Sequence, residues 1–229
     1  LVIDTETTGL DPKIDRVVDI GAVLLRNGKI EKTWETTINP GIPIPPEASA
    51  IHHLTDDDVA ASPSLESINE HLLGLAGGVS AIVAHNAEFD RSFLPVFAEQ
   101  PWLCTYRLGR HVWPDAPAHK NQVLRYWLKL NVDLAGKNTH RALPDALVTA
   151  KVLGAGIDSY LKNGGEDSLD ALNKYISAPA EVRKMGFGKH YGKLLSDVPE
   201  DYLRWALGNV PDMDSDLKWT IKNILEKRK

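Results

Sequence analysis

Residues 79–85, VSAIVAH, constrain the fold more than any other stretch of this chain. The run is apolar except for Ser80 and the closing His85. It is too short for an amphipathic helix and too apolar for a strand with one face in water. It reads as a strand buried on both faces, which requires a covering layer on each side. RVVDIGAVLL (16–25) makes the same demand, residues 1–6 and 32–38 read as further strands, and Asn27-Gly28 supplies a turn signal. Helical patterns alternate with the later strands. Ser62-Pro63-Ser64 opens one that runs to Leu75 and stops at Gly77-Gly78. Others cover about 87–97, 106–113, 122–130 and 142–162, with the strand WLCT at 102–105. This alternation predicts an α/β domain over 1–163, a mixed sheet flanked by helices. Gly164-Gly165 and the polar residues after them read as a linker over 164–184. Residues 185–229 read as a small α+β unit, with two short strands around GFGKHYGK and then two amphipathic helices. In the last helix Leu217, Ile221, Ile224 and Leu225 recur at helical spacing.

Composition narrows the class of function. The 229 residues carry a net charge of −5, so the chain is no basic coat for a phosphate backbone. A carboxylate cluster that binds divalent cations reverses its own local sign, however, and an enzyme holding one chain end needs no more than that. The single cysteine, Cys104, has no partner within the chain, which fits a reducing, cytoplasmic setting. No apolar run approaches the roughly 18 to 20 residues of a membrane span, and LVIDTETTGL lacks the layout of a signal peptide.

Carboxylates stand where an apolar sheet should not carry them. Asp4 and Glu6 are two apart on the first strand, so their side chains share a face. Two adjacent carboxylates resist joint ionisation unless a cation compensates, and hard oxygen ligands suit Mg²⁺ or Mn²⁺. The bland alternative is a strand end whose acids meet water. Thr7-Thr8-Gly9-Leu10 then turns out of the strand, with Gly9 allowing close approach of a backbone or ligand. HNAEFD (85–90) begins a helix after the buried strand, with Asn86 at the N-cap and Asp90 in the early helix; the alternative for Asp90 is a helix-dipole partner. HRALPD (140–145) opens another. Pro144 is tolerated in a first turn, which puts His140 in the loop before the helix and Asp145 on it. Taken singly, these are equally a loop histidine and a helix-start acid.

In this order, the three motifs resemble the DEDDh family of 3′→5′ exonucleases, whose pattern is DxE, then HNAxFD, then Hx₄D. All five family positions match, over residues 1 to about 155. WLCTYRLGRHVWPD (102–115) and the segment 186–209 further resemble a DNA-degrading bacterial branch of that family. The resemblance implies a ribonuclease-H-like fold and a catalytic set of Asp4, Glu6, Asp90, His140 and Asp145. It also implies two Mg²⁺ or Mn²⁺ ions per site, held by Asp4, Glu6, Asp90 and Asp145. By the same resemblance Asp4 would bridge the two and His140 would be the general base, a role that the near-neutral reference pKa of imidazole suits. The implied substrate is DNA with a 3′ end, single-stranded or duplex, and the product a 5′-mononucleotide. Leu10 and Ile51 would wedge against the terminal bases with His52 alongside, while Thr5, Thr7 and Asn86 would contact the last nucleotide. The alternative for Leu10 and Ile51 is that both are core residues.

Other signals carry less. GFGKHYGK has the wrong spacing for a phosphate loop, and Leu194 stands where that motif needs Ser or Thr. Tyr202 and Trp205 read as core, with a small nucleic-acid patch at Lys189, His190, Lys193 and Arg204 as the alternative. Three rival readings remain: the same chemistry on RNA, a polymerase proofreading subunit, and a catalytically silent nucleic-acid-binding module. The sequence does not fix the oligomeric state or the pathway served.

Overall fold

The structure is a computed structural model, and it describes residues 1–134 and 140–228. Strands β1 (Val2–Thr7), β2 (Val17–Arg26) and β3 (Lys29–Thr37) form an antiparallel meander. Short helices α1 (Pro46–His52), α2 (Asp56–Val59) and α3 (Asn69–Leu75) follow. Strand β4 (Ile82–Ala84) then pairs parallel to β1, helix α4 (Ala87–Phe93) leads out of it, and β5 (Trp102–Cys104) pairs parallel to β4. The five-stranded sheet has the order β3-β2-β1-β4-β5, the mixed sheet expected.

Helices α5 (Thr105–Val112), α6 (Asn121–Trp127), α7 (Ala142–Lys162) and α8 (Leu169–Ser177) complete the first unit. Two apolar layers cover the sheet. Val2, Val23, Val83, Leu143 and Ala146 pack on the α7 side, and Ile3, Ile20, Ile82, Leu72 and Phe97 on the other. Alternation along β1 therefore puts Asp4 and Glu6 on the Val2 face, beneath α7. Gly21, opposite Asp4 in register, lets α7 come close. A Cβ there would lie 2.2 Å from the Leu143 backbone nitrogen.

Three expectations about the secondary structure change. The stretch 164–184 is no plain linker, because α8 lies within it and buries Leu172 and Ile176 in the α7-side core. Ser168 caps this helix by accepting from the Ala171 nitrogen. The helix expected over 87–97 stops at Phe93, and a single 3₁₀ turn, Pro95–Phe97, replaces its end. Proline lacks the N–H to continue and bars the helical region to Leu94. Around GFGKHYGK there is one antiparallel bridge, Lys184–Leu194, instead of two strands. Gly188 and Gly192, both with positive φ, turn the chain too sharply for a ladder.

Residues beyond this bridge have a core of their own, Met185, Leu195, Leu203, Leu217 and Ile221, between α9 (Glu200–Asn209) and α10 (Ser215–Lys227). Two arginines on α5 tie it to the first unit. Arg110 pairs with Asp214 at 2.7 and 2.8 Å, and Arg107 pairs with the buried Asp216. Among the described residues no helix is long and apolar enough to cross a membrane.

Candidate active site

Three chain segments bring their acids to one place. Asp4 and Glu6 come from β1 and Asp145 from the first turn of α7, with carboxylate oxygens all within 4.8 Å of one another. Asp90, buried on α4, accepts a 2.9 Å hydrogen bond from the Thr5 hydroxyl. Thr5 points to the opposite face of β1 from Asp4, so this bond fixes α4 to the strand next to the cluster.

The cluster is electrostatically costly. Burial, and then the charges of Asp90, Glu6, Asp145 and Asp19, hold the Asp4 carboxyl well above the usual carboxylate range. Burial, followed by Asp145, Asp19 and Asp90, pushes Glu6 up to about 8, with Arg141 opposing. Burial also pushes Asp90 up to about 7 against the Thr5 hydrogen bond, which favours its charged form. Oxygen-only donors, mutual repulsion and partial burial together fit a hard divalent cation, which removes the repulsion by binding.

Asp145 is oriented from two sides. Gln122 Nε2 donates to Oδ1 at 2.6 Å, and the His140 backbone nitrogen donates to Oδ2 at 3.2 Å. His140 is exposed and has φ 66°, a left-handed conformation that is uncommon outside glycine. The expected loop-then-helix placement of His140 and Asp145 is present. Asn86 also has a left-handed backbone (φ 67°). It stands at the N-cap position of α4, but its side chain makes no capping bond, contrary to the cap expected, and is exposed.

The other expected substrate residues divide into two groups. Leu10 is 83 % exposed and Ile51 57 % exposed, so neither is a core residue. Thr5, Thr7 and His52 are buried. Thr7 donates to the Gly9 carbonyl at 2.6 Å. His52 Nδ1 accepts from the Leu54 nitrogen at 3.1 Å, and burial lowers the pKa of its ring. Gly9 does permit a close approach, by the Asp15 carboxylate, which a Cβ would meet at 2.4 Å.

Two residues escaped the sequence reading. Gln122 sits in an unremarkable helix and gave no signal. Asp19 did give one, as the lone acid in the apolar run 17–25. It lies opposite Glu6 in register, is buried, and accepts from Arg141 Nε at 2.7 Å and the Ala142 nitrogen at 3.2 Å. Asp19 thereby anchors the start of α7 between His140 and Asp145. The histidine of HNAEFD, His85, is structural: its ring nitrogens lie 2.9 Å from the Thr105 hydroxyl and 2.8 Å from the His119 carbonyl, and burial lowers its pKa to about 4.

A family model described as Exonuclease, RNase_T, matches residues 1–153. The chain belongs to this exonuclease family. Exodeoxyribonuclease 10 of Escherichia coli (strain K12) is 37 % identical to the exonuclease over 229 residues, covering 98 % of each chain. The solved structure of Exonuclease X in complex with 5′ overhanging duplex DNA is 35 % identical, with a TM-score of 0.63. It matches over 76 % of the exonuclease and 98 % of its own chain. The ribonuclease-H-like fold is also that of E. coli Exonuclease I in complex with a dA16 oligonucleotide, at 17 % identity and a TM-score of 0.55. That match covers 70 % of this chain and 42 % of the other, and at such identity it speaks for the fold alone. A second model, for a quorum-sensing-regulated virulence factor, matches residues 177–209. The family is metal-dependent, and its acidic cluster is present here in Asp4, Glu6 and Asp145.

Proposed function

We propose that the protein is a 3′→5′ exodeoxyribonuclease that releases 5′-mononucleotides and acts in the cytoplasm, as its single cysteine fits. The observation that carries this reading is the convergence of Asp4, Glu6 and Asp145 beside Asp90, with His140 at the lip. DNA is favoured over RNA by the likeness to Exodeoxyribonuclease 10 and to the DNA-bound Exonuclease X. Asp4, Glu6, Asp90 and Asp145 would hold two Mg²⁺ or Mn²⁺ ions. When bound, such ions supply Lewis-acid stabilisation of developing charge and make water easier to deprotonate. His140 takes the proton from the attacking water, and its exposure lets it reach a substrate at the lip. Gln122 and the Asp19–Arg141 pair position Asp145 and the start of α7 next to His140. Asn86, exposed at the start of α4, contacts the terminal nucleotide, and Thr5 and Thr7 present backbone to it. The experiment is end-labelled DNA and RNA digested with and without Mg²⁺: this reading requires metal-dependent release of mononucleotides from DNA 3′ ends.

Leu10, in the turn after β1, and Ile51, on α1, present apolar side chains to solvent, as a wedge against terminal bases would. Unstacking a base step costs a few kcal/mol, and apolar insertion offsets it. Leu10→Ala is therefore expected to slow digestion of duplex ends about ten-fold while sparing single strands. Equal loss on both substrates rules the wedge out. Asp19→Asn removes the charge that Arg141 meets without changing size. It is expected to lower kcat about 10- to 100-fold and to raise the metal concentration needed for half activity. An unchanged metal titration would confine Asp19 to a structural role.

A further inference from the structure

We propose that the C-terminal unit carries a binding surface for single-stranded DNA, made by residues 183–194 and helix α9, which holds the substrate strand at a distance from its 3′ end. This rests on the exonuclease reading above. The segment 181–194 contains Lys184, Lys189 and Lys193, besides Arg183, which pairs with Asp115, against one acid, Glu181, within a chain whose net charge is −5. Three aromatic rings stand among these cations. Tyr191 is 76 % exposed and Trp205 49 % exposed, and Trp205 stacks on Tyr202 at 5.2 Å with the planes tilted by 33°. Lys189 Nζ lies 5.1 Å from the centre of the Tyr202 ring.

The surface is built rather than loose. Gly188 has φ +65° and is pressed so closely on Tyr202 that a Cβ would lie 2.2 Å from its hydroxyl. The Lys184–Leu194 bridge closes the loop over the buried Met185. Glu200 and Asp201 open α9 on the same side, but Glu200 is taken up by Arg204 at 2.6 Å. The Arg107–Asp216 and Arg110–Asp214 pairs hold the unit to the helix that follows β5. A cleft of about 650 Å³ is lined by Asn86, by Arg107 and Arg110 of α5, and by Asp214 and Asp216 of the terminal unit.

Lysines that neutralise phosphates, set among aromatic faces, bind single strands with little regard to sequence, because every base has a face to stack. Paired bases in a duplex offer no such face. The surface therefore fits a single strand and not duplex DNA. The DNA-bound Exonuclease X chain is matched almost completely by 76 % of this one, so the rest of this chain has no counterpart in that complex.

The test uses the full chain with Asp4→Asn, so that DNA is bound and not consumed. A fluorescent oligothymidine of about 30 nucleotides, long enough to span several sites of the size such surfaces occupy, is titrated at several salt concentrations. Lys189→Glu with Lys193→Glu is expected to weaken binding and to flatten the logarithmic salt slope by about 1.4, at roughly 0.7 per lost phosphate contact. Tyr191→Ala with Trp205→Ala is expected to weaken binding at least about five-fold with the slope kept, since stacking releases no counterions. In the active protein, both pairs should raise KM for the long strand and leave a hexanucleotide unaffected. Matching melting temperatures establish that the variants are folded. Parent-like affinity and salt slope in both pairs would overturn the proposal, as would an equal loss of binding to blunt duplex DNA. Failure of the active protein to shorten DNA at all would instead remove the catalytic reading, which the binding titration does not use.

Discussion

Asp4→Asn is expected to abolish hydrolysis and, at the same time, to raise the melting temperature of the metal-free protein at about pH 8. Both effects have one cause. Asp4 is half-buried next to Asp90, Glu6, Asp145 and Asp19, and each of those charges opposes its ionisation. A carboxylate whose pKa is raised on folding binds its proton more tightly in the native than in the unfolded state. Its stabilising effect is therefore complete below the unfolded pKa and is lost as pH rises through the folded one. For Glu6 that window runs from its reference value of 4.5 to about 8. The metal-free protein should thus melt at progressively lower temperature between about pH 5 and about pH 8, and an amide at position 4 should blunt that slope. Binding of Mg²⁺ to the parent restores stability, by about 2.7 kcal/mol at a hundred times its Kd. The amide variant should lose most of that gain, and its turnover should fall on the order of a thousand-fold or more. Melting curves in chelator and in Mg²⁺, at both ends of the pH window, test all three statements. A parent whose stability rises with pH in chelator contradicts the electrostatic account.

His140→Ala is expected to lower kcat by about 10²- to 10⁴-fold, the range for loss of a general base. Metal binding should survive, because His140 touches Asp145 only through its backbone nitrogen, which alanine retains. The thermal gain on adding Mg²⁺ is then parental while turnover is not. The contrast with Asp4→Asn is the informative part, since one variant loses metal and chemistry and the other loses chemistry alone. Loss of the Mg²⁺-induced gain in His140→Ala would show instead that the histidine shapes the metal site.

The core of the site was legible because its geometry is local. Asp4 and Glu6 share a face by strand alternation, and Pro144 could stand only in a first turn, which put His140 outside the helix and Asp145 on it. Leu10 and Ile51 were ambiguous because a turn residue and a short-helix residue have no periodicity to reveal their faces. Only the fold shows them in water. Gln122 and Arg141 depend on how α6 and α7 pack, which no local pattern encodes. Helix α8 was hidden because its polar lead-in, Gly164 to Ser168, resembles a linker, and its two buried residues are justified only by the core they join. The terminal unit was legible in part, since the spacing of Leu217, Ile221, Ile224 and Leu225 marks α10. Its two supposed strands were not, since a pair of glycines with positive φ reads the same in a hairpin as in a compact loop.

One measurement bears most directly on the central claim. A DNA oligomer labelled at its 5′ end is incubated with the parent and with Asp4→Asn, in Mg²⁺ and in chelator. The account predicts a ladder of successively shorter labelled strands from the parent in Mg²⁺, and intact oligomer in the other three reactions. Release of the 5′ label as the first product, or equal digestion by Asp4→Asn, would contradict it.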